Sequence, residues 1–166
     1  MKKRTPAKPE APAYITPEGH RTLSDELAHL WKVKRPKVTQ AVAEAAAMGD
    51  RSENAEYIYG KKQLRQIDSR IRYLAGRLQV LKVVDRTPSD TSTVFFGAWV
   101  EIEDEEGTRS RYRIVGPDET DAARSFISID SPMAKALLRK SEGDEVTVTR
   151  PNGKAVFSIV SVSYSE

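Results

Sequence analysis

Eight mostly apolar residues recur at spacings of three and four near the middle of the chain, and this repeat constrains the fold most strongly. They are Tyr57, Gly60, Leu64, Ile67, Ile71, Leu74, Leu78 and Leu81. Alternating spacings of three and four give the 3.5-residue period of a helix that packs along another helix. The repeat therefore predicts a long amphipathic helix that needs a helical partner.

A second repeat of the same period lies earlier in the chain and can supply that partner. Its members are Leu27, Trp31, Lys34, Val38, Ala41, Ala45 and Met48. If the chain turns near Arg51, the two repeats match in reverse order, with Ala41 opposite Gly60. We therefore predict an antiparallel helical hairpin with arms of about 32 residues, about 45–50 Å long at 1.5 Å per residue. The aromatic members, Trp31 and Tyr57, are interpreted as core residues of the seam.

The pattern changes after residue 93 from a helical period to the alternation that is typical of strands. We predict strands over residues 94–102, 109–115, 125–129, 146–148 and 155–164. Ser131 and Pro132 suit the start of one short helix between the third and fourth strands. This half is predicted to be a small antiparallel sheet with one packed helix, so the fold class is α+β.

Charge and composition divide the chain into three parts. Residues 1–13 are predicted to be a disordered basic tail, since they lack periodicity and carry three prolines. The hairpin is assigned to residues 14–84, with thirteen Lys or Arg against eight Asp or Glu, and the sheet domain to residues 85–166, with ten against fifteen. A basic first half and an acidic second half suggest that the first faces a polyanion, although a solvated helix surface gives the same count.

Several classes of chemistry are excluded by what the sequence lacks. It has no cysteine, so disulfides and thiolate metal sites are excluded, and no phosphate-binding or nucleophile-elbow motif. His20 and His29 are nine residues apart on one predicted helix, too far around it to share a metal. No apolar run is long enough to span a membrane or to act as a signal peptide. We expect a cytoplasmic protein without a catalytic site of its own.

Asp50 and Glu53 lie at the predicted turn of the hairpin and have two interpretations. An Asp at the N-cap with a Glu three residues later resembles a capping box, which satisfies free amides at the start of a helix. Alternatively, the hairpin delivers the two carboxylates into another molecule's site. Mg²⁺ commonly takes one or two protein carboxylates and completes its shell with other oxygen ligands. The pair would then act only where a partner contributes the rest.

Several motifs in this order resemble the GreA/GreB family of bacterial transcript cleavage factors, and the GreB branch more closely than the GreA branch. They are GDRSENAEY at 49–57, KKQLRQID at 61–68, VFFGAWVEI at 94–102 and SIDSPMA at 128–134. The similarity extends from about Tyr14 to Tyr164. Only the N-terminal tail departs from the pattern.

The resemblance implies both a fold and a function. It implies a coiled-coil hairpin that enters the secondary channel of RNA polymerase and an FKBP-like domain that docks at the channel's rim. Asp50 and Glu53 match the family's tip residues, which help to hold a second Mg²⁺ in the polymerase active site, while Ser52 orients a ligand or water there. The polymerase then cleaves backtracked RNA, and the arrested elongation complex is rescued. The factor is not itself an enzyme, and it holds no cofactor stably alone.

The resemblance also implies an RNA contact on the second helix. Lys61, Lys62 and Arg65 match the vicinity of the family's basic patch, which touches the extruded 3′ end of the nascent RNA. A solvated helix surface is the alternative explanation for these residues, and Lys32, Lys34, Arg35 and Lys37 form a possible extension. We expect the factor to act as a monomer and without a membrane.

Two other functional classes remain open from the sequence. A Gre-like protein can occupy the polymerase channel and inhibit the polymerase without promoting cleavage. An altered tip motif would mark such a protein, whereas the tip motif of this chain is intact. An FKBP-like domain can also be a prolyl isomerase, or the hairpin an adaptor, unconnected to transcription. Fold alone assigns no activity, so a cleavage assay and a peptide isomerisation assay separate these classes.

Overall fold

The computed structural model describes residues 13–165. The predicted disordered tail lies outside them, except for Ala13. Residues 20–81 form one compact unit, the helical unit, and residues 13–19 together with 82–165 form a second, the sheet unit. Within the described residues, no helix combines the length and the apolar character needed to cross a membrane.

The helical unit is built from two antiparallel arms joined by a turn. Its elements in chain order are α1 (Pro17–His29), a π-helical turn (Leu30–Lys34), α2 (Arg35–Ala47) and α3 (Ala55–Val80). Ion pairs join the arms in reverse order, since Arg35 contacts Asp68 at 2.7 Å and Glu26 contacts Arg70 at 2.7 Å. The predicted hairpin is therefore confirmed.

The seam of the second arm follows the predicted repeat. Ile67 and Leu74 are buried, and the other six members of the repeat are half-buried. A strict repeat on one helix face places every member toward the partner helix. The prediction for α3 therefore holds over its full length.

The seam of the first arm departs from the predicted repeat. Trp31 is 58% exposed and Lys34 is also exposed, so their assignment to the seam is wrong, and Leu30 is buried instead. The cause is the π-helical turn, which takes one more residue per turn than an α-helix and shifts the inward face. Pro36 lies two residues after this turn ends. It has no N–H to donate to the preceding turn, so a regular α-helical hydrogen-bond pattern cannot run through this segment.

The shift also changes which residue of the first arm lies opposite Gly60 near the turn. Ala41 and Met48 are exposed, and Val42 takes the place predicted for Ala41 opposite Gly60. A Cβ added at Gly60 would lie 2.7 Å from the Cγ2 atom of Val42. Glycine is therefore required here by the approach of the other arm, as predicted, although the contacting residue differs.

The sheet unit contains a five-stranded mixed sheet in the order β5-β4-β3-β7-β6. Its strands are β3 (Trp99–Asp104), β4 (Arg109–Val115), β5 (Phe126–Ser128), β6 (Glu145–Arg150) and β7 (Gly153–Ser163). Two further strands, β1 (Tyr14–Ile15) and β2 (Lys82–Val83), pair in parallel. Ala13 belongs to the same pairing, since its carbonyl accepts a hydrogen bond from Lys82 at 2.8 Å.

The predicted antiparallel sheet holds for three of the four strand pairings. β3 pairs antiparallel with β4 and β7, and β6 with β7, whereas β5 pairs in parallel with β4. The strand predicted from residue 94 begins only at Trp99, because Ala98 donates a hydrogen bond back to Phe95 at 3.1 Å and Gly97 has a φ of 87°. Such a turn interrupts the extended backbone before β3.

One face of this sheet packs against the short helix α4 (Pro132–Leu137). Ser131 caps that helix by accepting a hydrogen bond from the Ala134 amide at 3.2 Å. The core includes residues from alternate positions of the strands and from α4, namely Val100, Ile102, Ile114, Ala134, Leu137, Val146, Val148 and Ile159. The predicted combination of a small sheet with one packed helix is confirmed.

The first three residues of α1 belong to the sheet unit, and within that unit the carboxylate of Glu119 binds the residue before the helix. This carboxylate accepts hydrogen bonds from the Thr16 amide at 3.0 Å, from the Thr16 hydroxyl, and from the Gly116 amide at 2.8 Å. The Thr16 hydroxyl oxygen in turn accepts from the Gly19 amide at 3.1 Å. Thr16 is thus the N-cap of α1, and its buried side chain has partners for both its donor and its acceptor.

Candidate functional site

The turn between α2 and α3, residues 48–54, is hereafter the tip loop. Asp50, Arg51, Ser52 and Glu53 are all exposed there. They lie between two helices of 13 and 26 residues. The side chains singled out by the sequence are therefore available to another molecule.

Asp50 and Ser52 form a small hydrogen-bonded turn within the tip loop. The Oδ1 atom of Asp50 accepts from the backbone amide of Ser52 at 2.9 Å and from its hydroxyl at 2.8 Å. The Glu53 amide donates to the Asp50 carbonyl at 3.3 Å. The hydrogen bonds from the Ser52 amide and hydroxyl lower the pKa of Asp50, because they favour the charged carboxylate. These bonds thus hold the Asp50 carboxylate in one direction and favour its charged form.

Asn54 caps α3, so the capping-box interpretation of Asp50 is wrong. The Asn54 Oδ1 atom accepts from the Tyr57 amide at 3.1 Å, and its Nδ2 atom donates to the Ala45 carbonyl at 2.7 Å. Asn is as good an N-cap as Asp, and it lies three residues before Tyr57, the first member of the repeat. This position was the available signal that the sequence interpretation missed.

Glu53 makes no hydrogen bond or ion pair through its carboxylate within residues 13–165. No group of three or more His, Cys, Asp or Glu side chains in the described part of the chain could hold a metal ion. Asp50 and Glu53 nevertheless offer the hard oxygen ligands that Mg²⁺ takes, usually one or two carboxylates beside other oxygens. The tip loop therefore fits an ion whose remaining ligands come from another molecule.

Lys61, Lys62 and Arg65 form an exposed patch on α3, hereafter the basic face. Residues three and four apart are neighbours on a helix surface, so Arg65 lies beside both lysines. Within residues 13–165 these three cations form no ion pair, whereas Arg70 is bound to Glu26. The basic face therefore keeps its charge available.

The possible extension of this patch on the first arm is only partly available. Lys32, Lys34 and Lys37 are exposed. Arg35 instead donates from Nε to Asp68 at 2.7 Å, and this bond lowers the pKa of Asp68. Arg35 therefore holds the two arms together.

The acidic residues of the β3–β4 hairpin serve the hairpin itself. Arg109 donates to Glu103 at 2.8 Å and to Glu101 at 3.0 Å. Asp104 accepts from the amides of Glu106 at 3.0 Å and Thr108 at 2.8 Å. Glu101, Glu103 and Asp104 are therefore engaged in contacts within the hairpin.

Comparison with known protein families matches nearly the whole described chain. A family model described as the N-terminal part of the transcription elongation factor matches residues 13–83. A model described as the C-terminal part of the transcription elongation factor GreA/GreB matches residues 89–164. The two matches cover the helical unit and the five-stranded sheet.

Two individual relatives agree with the family models. The chain is 60% identical over 151 residues to the transcription elongation factor GreB of Yersinia pestis, covering 91% of this chain and 88% of that protein. It is 57% identical over 166 residues to GreB of Xanthomonas axonopodis pv. citri, covering 99% of both. A crystal structure of the GreA factor homolog 1 protein of Thermus thermophilus is 26% identical, with 90% and 97% covered and a TM-score of 0.41.

Proposed function

The chain belongs to the GreA/GreB family of transcription elongation factors, and we propose that it rescues arrested elongation complexes by stimulating RNA polymerase to cleave backtracked RNA. One observation carries this proposal. Asp50 and Glu53 are exposed at the turn between two long antiparallel helices, while Asn54 provides the cap of the second helix. Neither carboxylate is needed to start α3, so both can serve a partner.

The proposed role of the tip loop is to complete a metal site inside the polymerase. Asp50 and Glu53 would hold a Mg²⁺ shared with the polymerase, and that ion supplies charge stabilisation for the attack of water on a phosphodiester. Hydrogen bonds from the Ser52 amide and hydroxyl hold the Asp50 carboxylate in one direction and favour its charged form. The bond cleavage is then the polymerase's own reaction, and this chain is a stimulating factor that holds no metal stably when alone.

The proposed role of the basic face is to receive the extruded 3′ segment of the nascent RNA. Lys61, Lys62 and Arg65 are exposed on the arm that follows the tip loop. Phosphate groups attract such cations with a strength that falls as the salt concentration rises. RNA held along α3 would lie close to Asp50 and Glu53, where cleavage occurs.

The sheet unit is assigned to docking on the outside of the polymerase. It contains neither tip carboxylate, and nearly all of it is matched by the separate C-terminal family model over residues 89–164. A docked sheet unit tethers the tip loop and raises its effective concentration at the active site. The factor would act in this way as a monomer in the cytoplasm, where the polymerase works.

The proposal is tested by adding the full chain to a stalled, backtracked elongation complex with RNA labelled at its 3′ end. Release of short 3′ fragments, followed by renewed elongation, is the expected result. A complex that stays arrested with intact RNA, although the factor binds it, indicates instead a channel occupant that inhibits. Acceleration of prolyl isomerisation in a test peptide, without any effect on the complex, would instead indicate a prolyl isomerase unconnected to transcription.

A further inference from the structure

Four aromatic residues lie in the helical unit, namely Trp31, Tyr57, Tyr59 and Tyr73. An arginine guanidinium lies 5.4 to 5.7 Å from the ring centroid of Trp31, of Tyr57 and of Tyr73. Within residues 13–165, by contrast, no cation or second ring lies against Tyr59. The Tyr59 residue is also 71% exposed. Its ring is therefore available for stacking in a way that the other three are not.

Tyr59 occupies the interval between the tip loop and the basic face. It is the fifth residue of α3, which begins at Ala55. Lys62 follows three residues later and is its neighbour on the helix surface, about 4.5 Å farther along the axis. RNA that runs along α3 toward the tip loop would pass Lys62 first, the Tyr59 ring next, and the carboxylates of the tip loop last.

Cations beside an exposed ring suit one class of ligand in particular. Proteins that bind single-stranded nucleic acid combine a basic track for the backbone with aromatic side chains on which bases stack. Such stacking tolerates any sequence, since every base has a π face. A single exposed tyrosine is ordinary on a protein surface, but here the unoccupied ring is the helix-surface neighbour of Lys62, the nearest cation of the basic face on that side.

We infer that Tyr59 stacks on an unpaired base of the RNA that the basic face receives, and so positions the extruded RNA beside Asp50 and Glu53. The inference rests on the proposed function. Tyr59 is a positioning residue in this account, and it contacts RNA without taking part in bond cleavage. Its effect should therefore depend on the base that it touches.

The test combines variants of the full-length factor with two backtracked complexes. In one complex the extruded RNA has ordinary nucleotides, and in the other the same positions are abasic. The factor concentration for half-maximal cleavage is measured for wild type, Tyr59→Phe, Tyr59→Ala and Tyr73→Ala. Tyr73 is a matched control, since it is 53% exposed on the same helix and about 21 Å from Tyr59 along the axis.

With ordinary RNA, Tyr59→Ala should raise the half-maximal concentration at least about five-fold, the lower end of the contribution of one base–aromatic stack. Tyr59→Phe and Tyr73→Ala should resemble wild type. With abasic RNA, the half-maximal concentration of wild type should rise by the same factor above its value on ordinary RNA. The half-maximal concentration of Tyr59→Ala should be the same on both RNAs. These five outcomes together support stacking on a base.

Two results would overturn the inference. One is wild-type behaviour of Tyr59→Ala on ordinary RNA, and the other is an equal loss on ordinary and abasic RNA, which would assign the ring to a protein surface of the polymerase. Asp50→Asn run in parallel separates the two proposals. If Asp50→Asn abolishes cleavage and Tyr59→Ala has no effect, only the stacking inference fails, whereas unchanged cleavage by Asp50→Asn contradicts the proposed function.

Discussion

The side-chain amide of Asn54 donates a hydrogen bond of 2.7 Å to the carbonyl oxygen of Ala45, and so connects the start of α3 to the end of the opposite arm. The same side chain accepts from the Tyr57 amide at 3.1 Å. Asn54 thus caps one helix and closes the tip loop with a single side chain. The exposed carboxylates of Asp50 and Glu53 lie within the loop that it closes.

Substitutions at Asn54 should separate the cap from the link to Ala45. Asn54→Ala loses both and should cost about 0.5–2 kcal/mol of stability, the usual value of an N-cap. Asn54→Asp retains the cap but cannot donate to Ala45, so it should unfold nearly like wild type while its tip loop becomes more mobile. Thermal unfolding and hydrogen exchange at Asp50 to Glu53 measure the two effects. Equal exchange in wild type and Asn54→Asp would mean that the link does not order the loop.

Ser52→Ala should raise the pKa of Asp50. In the folded protein the hydrogen bonds from the Ser52 amide and hydroxyl lower that pKa below its ordinary value of 3.8, and the substitution removes the hydroxyl. A lowered pKa means that these bonds stabilise the fold above pH 3.8 and that this contribution is lost as acid protonates Asp50. NMR titration of the Asp50 carboxyl carbon measures the shift. An unchanged pKa would show that the Ser52 hydroxyl does not hold the carboxylate in solution.

Gly19→Ala should destabilise the sheet unit although alanine is the better helix former. A Cβ at position 19 would lie 2.0 Å from the Oε1 atom of Glu119, so the carboxylate must move and release Thr16. Hydrogen bonds to a charged group contribute about 1.5–3 kcal/mol each, which exceeds the helix preference of about 1 kcal/mol. Denaturant unfolding measures the change.

Two further variants show whether the clash is the cause. In a Glu119→Ala background the same Gly19→Ala change should no longer destabilise, because the clashing atom is gone. Gly76→Ala is the matched control, since nothing lies within 4 Å of a Cβ at that position, and it should stabilise by about 1 kcal/mol. If Gly19→Ala stabilises as Gly76→Ala does, the start of α1 is not held as described.

Removing the basic face should weaken the response of the factor to salt. The triple change of Lys61, Lys62 and Arg65 to Ala should lower affinity most at low salt, and reduce the log–log salt slope by about 2, since each single-strand phosphate contact contributes about 0.7. The loss of affinity should be larger for deeply backtracked complexes than for shallow ones. The same triple change at Lys32, Lys34 and Lys37 removes equal charge from the other arm. Equal losses from both triples would indicate general attraction and no specific RNA track.

Particular residues show how far the sequence determines the fold. The repeat on α3 predicts its buried face, because nothing interrupts the helix between Ala55 and Val80. The repeat on the first arm fails at Trp31, because a π-helical turn has no signature in a count of spacings. Strands of two residues, such as Tyr14–Ile15, have no periodicity, so their pairing with Lys82–Val83 could not be predicted. The direction of β5 depends on the path of the whole chain and not on local pattern.

In the candidate site, too, the sequence predicts some features and not others. The motif at 49–57 places Asp50 and Glu53 in a turn, and the structure exposes both. The choice of Asn54 as the cap was missed because Asp50 and Asn54 are equally good N-caps and spacing alone does not locate the start of a helix. The lowered pKa of Asp50 depends on hydrogen bonds from the Ser52 amide and hydroxyl, which a pattern of residue types does not reveal. The roles of these residues in polymerase remain predictions.

The central claim is that Asp50 and Glu53 act on a partner and not on their own fold, and one measurement tests it directly. The cleavage rate of a backtracked complex is compared for wild type, Asp50→Asn, Glu53→Gln and the double variant, with thermal unfolding and competition against wild type for polymerase as controls. Stability and competition should be unchanged, because Asn54 caps α3 and an amide oxygen at position 50 can still accept from Ser52. Cleavage should be nearly abolished, because a neutral amide is a poor ligand for Mg²⁺. Full cleavage by the double variant would contradict the account.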